Sequence, residues 1–409
     1  MLGGVVLTSL DSVELLPEPD DERILSAIDP SVVGFQDEWR SEVTGWFPHI
    51  AKPIHRVRKK KFLLTNLVLF AIFASLMLWV WQSGYMFVEL PPAKSEWAFE
   101  EAGFDEEVFD GLTGEGIRVC IVDTGIDISH PSFKNTNLVF KDMISNSNSP
   151  VDYGAIAHGT LMAGILVSQE HQYGVSPNVD LGVVAALSDD GTGVNTADEQ
   201  KISDAIEWCM DSFSADIISL SLGGTQSESM TREGPSVSSV RKALDRGIFV
   251  VAAAGNDGGN GDDGRVSVPS NVPLVISVGA SSQGGEVWEN SSKGSQVTIS
   301  GEQRVHPNLK PEIIAPGVRI VSTGSDGQWY SSSGTSDSTV FVTGALALIL
   351  QDQPQLRPSA TLDNSCIGEV KQALRISASN SIIDHDDLLG YGNLDASAWL
   401  EQVRTMPNC

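Results

Sequence analysis

Basic residues are scarce in this chain of 409 residues: 26 Lys plus Arg stand against 53 Asp plus Glu, a formal net charge of −27. Binding nucleic-acid phosphates needs a basic footprint, so the deficit argues against a nucleic-acid partner. Cysteine is scarce as well. Four residues are too few for a disulfide-stapled miniprotein, and no C-x-x-C pair marks a zinc ribbon or redox centre. Internal repeats and low-complexity arrays are lacking. What is present is 41% hydrophobic residues with 39 Gly and 19 Pro, the composition of a chain that folds around a core. At about 150 residues per domain, the length allows two or three units.

One segment departs from this picture. From Phe62 to Trp81 only Thr65, Asn66 and Ser75 interrupt an apolar run. About twenty helical residues at roughly 1.5 Å each span the hydrocarbon core of a bilayer. Arg56, Arg58, Lys59, Lys60 and Lys61 precede the run, and Trp79, Trp81 and Tyr85 mark its far end. Basic residues stay on the cytoplasmic side and aromatic residues favour the interface, which predicts an N-inside, C-outside orientation. A buried core helix rarely has so long a run without a polar face. A cleaved signal peptide would lie nearer Met1, and Gln82-Ser83-Gly84-Tyr85 is a poor cleavage site. The expectation is a single-pass signal anchor over residues 62–83 in the cell membrane. A cytoplasmic tail over 1–61, with at most a short helix near Asp21 to Ile28, precedes it. A linker over 84–107, stiffened at Pro91-Pro92, and an extracytoplasmic domain over 108–404 follow.

Beyond Val108, short apolar runs alternate with amphipathic stretches. The strand candidates are Ile117 to Val122, Leu181 to Leu187, Ile217 to Leu222, Ile248 to Ala254 and Val275 to Val278. Helical stretches at Ala197 to Phe213 and Pro235 to Arg246 lie between them. Near-continuous apolar strands separated by helices predict an α/β fold, doubly wound, with a mostly parallel sheet covered on both faces. In such sheets functional groups collect at the carboxyl ends of the strands.

Three reactive residues occupy such positions. Asp123 follows the strand Ile117 to Val122, His158 opens a helical stretch as His158-Gly159-Thr160, and Ser336 precedes the apolar run Val340 to Leu350. Alone, each has an ordinary explanation as a turn former, a structural histidine or a helix cap. In the order Asp, His, Ser they follow one of the known routes to a catalytic triad, distinct from the Ser, Asp, His order of α/β-hydrolases.

With these residues in view, the sequence resembles the subtilisin-like serine proteases, the subtilase family, over about Leu112 to Ala396. Val119-Cys120-Ile121-Val122-Asp123-Thr124-Gly125 resembles the aspartate motif. His158-Gly159-Thr160 with Met162-Ala163-Gly164 resembles the histidine motif, and Gly334-Thr335-Ser336 the serine motif. Val251-Ala252-Ala253-Ala254-Gly255-Asn256 is similar to the strand that delivers the oxyanion asparagine. Asp190-Gly191-Thr192-Gly193 and Ser221-Leu222-Gly223 resemble the segments that flank a bound peptide. Ala315-Pro316-Gly317 and Gly390-Tyr391-Gly392 are secondary family marks.

The resemblance implies a serine endopeptidase with Asp123, His158 and Ser336 as triad and Asn256 in the oxyanion hole. Asn256 also separates the chain from sedolisins, which place an Asp there. Substrate binding is expected at Ser221, Leu222, Gly223, Gly191, Thr192, Gly193, Ala254 and Gly255, whose backbone groups would take an extended protein or peptide substrate by β-augmentation. No cofactor is expected. The loop Ser168 to Pro177 is short for the family's calcium loop, so no metal site is carried over.

The chain also departs from the family. Asp337, Ser338, Thr339 and Val340 replace the usual Met-Ala and later Pro after the serine. Asp337 reads either as a favourable acid at a helix N-terminus or as a carboxylate acting on His158. Asp257, Asp262 and Asp263 read as a solvated loop, with calcium binding or a preference for basic substrates as alternatives. The stretch between the apolar run and the catalytic domain is too short for the usual pro-domain. Cys366 and Cys409 are expected to pair, with Cys120 a small core residue. The competing reading is a catalytically impaired subtilase fold serving as a membrane-tethered binding module. An intramembrane protease is excluded by the distance in sequence between the apolar run and the reactive residues.

Overall fold

The computed structural model describes residues 58–82 and 94–406, apart from 172–173, 225–232, 299, 359–363 and 381–383. The expected tail helix near Asp21 to Ile28, the Pro91-Pro92 linker and Cys409 lie outside the described residues. The chain divides into two compact units, one containing the apolar run and the other covering Pro92–Cys409.

In the first unit, α1 spans Arg58–Gln82, 25 residues. Its side chains are described from Leu64 to Val80, and large apolar ones such as Leu67, Phe70 and Trp79 are exposed. Among the described residues no helix is long and apolar enough to cross a membrane. A helix thus forms where the span over 62–83 was expected, but the span itself is not supported. Phe62, Leu63 and Trp81, which complete the apolar run, lie outside the described side chains.

The second unit opens with α2 (Glu96–Glu101) and continues through β1 (Arg118–Asp123), β2 (Leu138–Asp142), α3 (His158–Val167), β3 (Asp180–Ala185) and the small ribbon β4 (Ser188–Asp189) and β5 (Asn195–Thr196). Next come α4 (Glu199–Trp208), β6 (Ile217–Leu220), α5 (Pro235–Asp245), β7 (Phe249–Ala253), β8 (Ile276–Ser281) and β9 (Ile313–Pro316). The unit closes with the hairpin β10 (Val318–Thr323) and β11 (Trp329–Ser333), then α6 (Thr335–Asp352), α7 (Ser365–Ser377) and α8 (Ala396–Arg404). Seven strands form one sheet in the order β2-β3-β1-β6-β7-β8-β9, and every pairing within it is parallel. The expected doubly wound α/β architecture is present. Chain order reverses between β1 and β6, so the crevice at their carboxyl ends is the topological switch point where such sheets place ligands.

The strands form because their residues bury on both faces. β6 and β7 are wholly buried and β1 is buried from Val119 onward. α3 and α6 pack on each other and on the sheet, as do α4 and α5. α6 is buried at every residue from Thr335 to Leu350. A helix buried all round has no solvent face to offer, so it becomes the centre of the core. Residues 95–107, read from sequence as linker, pack behind it. Phe99 and Phe104 stand 5.2 and 6.4 Å from the Phe341 ring, and the Ala396 N–H donates to the Ala102 carbonyl at 2.8 Å.

Cys120 is not a free core residue. It forms a disulfide with Cys209, both buried, tying β1 to the π-helical turn Cys209–Phe213 that ends α4. Cys366 is also disulfide-bonded; its expected pairing with Cys409 lies outside the described residues.

Candidate active site

Asp123 is the last residue of β1, His158 the first of α3 and Ser336 the second of α6. Each is delivered by a rigid element to the switch-point crevice. His158 Nδ1–H donates to Asp123 Oδ1 at 2.7 Å, because an ionised carboxylate can only accept. In the neutral ring that bond leaves Nε2 as the acceptor. Asp123 Oδ1 also accepts from the Thr124 N–H at 2.7 Å, and Asp123 is 1% exposed. The Ser336 hydroxyl donates to the Ser221 carbonyl at 3.2 Å, and the Ser221 hydroxyl donates back to the Ser336 carbonyl at 3.3 Å. Among the described hydrogen bonds none joins Ser336 Oγ to His158. Such contacts commonly tighten only when substrate is bound.

Asn256 follows β7 and is oriented by Thr335. Its Oδ1 accepts from the Thr335 N–H at 2.9 Å and from the Thr335 hydroxyl at 2.8 Å. With the oxygen engaged, the amide nitrogen lies on the Gly334 side, 3.3 Å from where a Cβ of that residue would be. Ala254, Gly255, Ser221, Leu222 and Gly223 fall in the adjoining loops. Gly255 has φ +120°, and a Cβ there would meet Ser267 Oγ and Ser292 Oγ, each at 2.4 Å. Ser267, which no motif identifies, therefore lies against the segments expected to hold a peptide. Gly191, Thr192 and Gly193 sit apart from these contacts in the exposed turn between β4 and β5. There Asp189 Oδ1 accepts from the N–H groups of Gly191 and Gly193 at 2.9 and 3.0 Å.

Sequence reasoning also missed Asp152. Its Oδ1 accepts from the Thr124 hydroxyl at 2.6 Å and the Gly154 N–H at 2.9 Å. Its Oδ2 accepts from the Thr160 N–H at 2.8 Å and hydroxyl at 2.6 Å. One carboxylate thus clamps the loop after Asp123 to the first turn of the His158 helix. The secondary motifs are structural: Ser338 donates to the Ala315 carbonyl at 2.8 Å, and the Tyr391 N–H to the Glu312 carbonyl at 2.8 Å.

Electrostatically the crevice is acidic. Burial opposes charge on His158, but the Asp123 carboxylate and its hydrogen bond outweigh this, with Asp337 and Asp152 adding, and push the imidazole up to about 9. Burial raises Asp337 to about 7, against the opposing pull of Ser332 and His158. The acidic loop is largely satisfied from within: Asp262 accepts from the Gly264 and Lys293 N–H groups, and Asp257 from the Ser292 hydroxyl. Among the described residues no group of three or more His, Cys, Asp or Glu side chains is placed to hold a metal ion.

Residues 114–393 match the subtilase family. The chain is 33% identical to subtilisin amylosacchariticus of Bacillus subtilis subsp. amylosacchariticus over 247 residues, 60% of this chain and 58% of that protein. It is 33% identical to serine protease AprX of Bacillus subtilis (strain 168) over 318 residues, 70% of this chain and 66% of that one. Both matches span less than two thirds of the relative's own length. Among solved structures, a mutant of the protease domain of PatA aligns with TM-score 0.58 and 26% identity, covering 73% of this chain and all of that one. The chain belongs to the subtilase family.

Proposed function

We propose that the chain is a serine endopeptidase that hydrolyses peptide bonds through Asp123, His158 and Ser336. The observation that carries this reading is the 2.7 Å Asp123–His158 hydrogen bond, formed beside Ser336 and an Asn256 whose amide nitrogen is left free to donate. A serine hydroxyl is scarcely ionised at neutral pH, so His158 Nε2 takes its proton as Oγ attacks the scissile carbonyl. His158 then returns the proton to the leaving amine. Asp123 holds the Nδ1–H tautomer and stabilises the imidazolium. The tetrahedral oxyanion is held by Asn256 Nδ2 and the Ser336 backbone N–H, and removing one such donor costs about 10²–10³ in turnover, a magnitude measured in subtilisin itself. Backbone groups of Ser221 to Gly223 line the extended substrate on one side, and Gly191 to Gly193, whose N–H groups are held by Asp189 and Asp190, offer only their carbonyls from the other. Recognition through main chain reads few side chains, which favours a broad specificity.

The same reading places the peptidase outside the cytoplasm on a membrane tether. Supporting it are the length of α1, which at about 1.5 Å per residue exceeds the hydrocarbon thickness, its exposed apolar side chains, and the lysines at its start. The buried Cys120–Cys209 disulfide suits an oxidising compartment.

A fluorophosphonate probe applied to the full chain, with Ser336→Ala as control, tests the chemistry. Labelling that vanishes in the variant is the expected result. A folded protein that never labels would sink the protease reading in favour of a tethered binding module. A tag placed before Arg56 should be protected from external protease in intact cells, and its digestion would overturn the orientation.

A further inference from the structure

Asp337 follows the nucleophile directly, in the first turn of α6, and is 2% exposed. Its Oδ1 accepts from the Ser332 hydroxyl. A carbon built as the Cβ of Gly334 would lie 3.3 Å from Asn256 Nδ2, 3.6 Å from Asp337 Oδ2 and 3.7 Å from the Ser336 backbone nitrogen. Two of those three atoms are the donors assigned above to the oxyanion. A carboxyl oxygen and the two oxyanion donors therefore border one small space beside Gly334, and no described hydrogen bond to another residue engages that oxygen.

We propose that Asp337 is a third polar member of the oxyanion site: as a neutral carboxyl it donates from Oδ2–H to the tetrahedral oxyanion, and when ionised it opposes that charge and keeps a proton on His158. The inference rests on the serine-protease reading of the site. It accounts for an acid where a helix start alone would be served equally well by a solvent-facing one. A carboxyl in a water-excluded site can stay neutral and act as a donor to an oxyanion. The charged groups facing His158 are Asp123 from β1, Asp152 from the loop before α3 and Asp337 from α6. The charged group facing Asp337 is His158; its other neighbours, Ser332, Gly334 and Asn256, are neutral.

The two requirements pull against each other. His158 must be neutral to act as base, yet it is pushed up to about 9, and Asp337 must be protonated, yet it titrates near 7. With the imidazole pushed further up than the carboxyl, a single proton shared by the pair favours imidazolium with carboxylate. The competent form, neutral imidazole with neutral carboxyl, is the minor isomer carrying the same proton. Proton transfer from His158 to Asp337 interconverts the two with no change in total charge.

Asp337→Asn separates this from a structural role. The amide keeps an acceptor for Ser332 and a donor toward the oxyanion but removes the charge. The full chain, its Asp337→Asn and Asp337→Ala variants and Ser336→Ala would be compared by fluorophosphonate labelling and by peptide-anilide hydrolysis from about pH 5 to pH 10. Asn should raise kcat/KM at neutral pH about tenfold, and move the acid limb of the profile down by roughly one pH unit through loss of a neighbouring charge. Ala should move the limb likewise but reach a plateau at least about tenfold below that of Asn, having lost the donor. Profiles that coincide in pH dependence across wild type, Asn and Ala would overturn the proposal while leaving the nucleophile established by its labelling. Absence of labelling in all of them would remove both readings, whereas labelling confined to the Asp337 variants would support the brake directly.

Discussion

Replacing Asp152 by alanine should impair the proposed catalysis from a position outside the proposed triad. Its carboxylate accepts four hydrogen bonds, from Thr124, Gly154 and twice from Thr160. Thr160 is fully buried, so its N–H and hydroxyl lose their partner with little water to replace it. Hydrogen bonds to charged groups contribute about 1.5–3 kcal/mol each, and water can reach the Thr124 and Gly154 side, so a net loss of about 3 kcal/mol is reasonable. For a unit of about 300 residues that lowers Tm by roughly 5 °C. The larger effect is positional. Thr160 lies two residues beyond His158 and Thr124 one beyond Asp123, so releasing the clamp frees both ends of the Asp123–His158 bond. A misplacement of about 1 Å at a reacting group costs on the order of 10²-fold in rate. The assay is kcat and KM on a peptide anilide beside a thermal melt, with kcat falling and KM nearly unchanged. A variant that melts within about 1 °C of wild type and retains full kcat would refute the reasoning, since neither the anchoring nor the positioning would then matter.

Other consequences are open to the same treatment. Replacing Cys120 and Cys209 by alanine opens a cross-link with a sequence separation of 89 and should cost about 2–5 kcal/mol, read as a lower denaturation midpoint under non-reducing conditions; an unchanged midpoint would contradict it. Glu312 is the shared counter-charge of two fully buried lysines, Lys310 and Lys371, at 2.9 and 2.7 Å. Glu312→Gln leaves both without it and should destabilise by about 3–5 kcal/mol; an unchanged melt would show the lysines to be neutral in the fold. At Asp142 burial favours the neutral acid, but donors from Ser145, Ser147, Ile144 and Tyr153 outweigh it and hold the carboxyl well below its ordinary range. Its stabilisation is therefore present above about pH 4 and lost as pH falls through the depressed folded value. Acid melts of Asp142→Asn should accordingly converge with wild type at the low end, and parallel curves would contradict the assignment.

The central strands were legible because burial on both faces writes a continuous apolar run, as at Phe249 to Ala253. The edge strands were not. In β2, Val139 is exposed and Lys141 half-buried, so no run appears, and β9 is four residues long and ends in Pro316. The reactive residues were legible because each sits where an apolar run begins or ends, within a short recognisable motif. Asp152 left no such mark: it is an isolated acid in a loop, and only the tertiary fold brings Thr124 and Thr160 to it. Ser267 is hidden for the same reason. The Cys120–Cys209 pairing escaped because a cysteine inside an apolar strand looks like packing until α4 brings its partner across. Residues 95–107 looked like linker because α2 is short and Ala98 is its only fully buried residue.

The burial of α6 makes Ser336, the proposed nucleophile, a reporter on the whole unit. Ser336 rides on a helix that touches β6, β7, β8 and β9 and has no solvent face between Thr335 and Leu350. Loops and termini can open at little cost, but a segment at the centre exchanges with solvent only when the entire cooperative unit comes apart. Heat or denaturant should therefore abolish probe labelling in step with global unfolding, and the slowest-exchanging amides of the chain should be those of the helix that carries the serine. Fold and chemistry are fastened to the same spine, leaving no partly opened state in which one survives without the other.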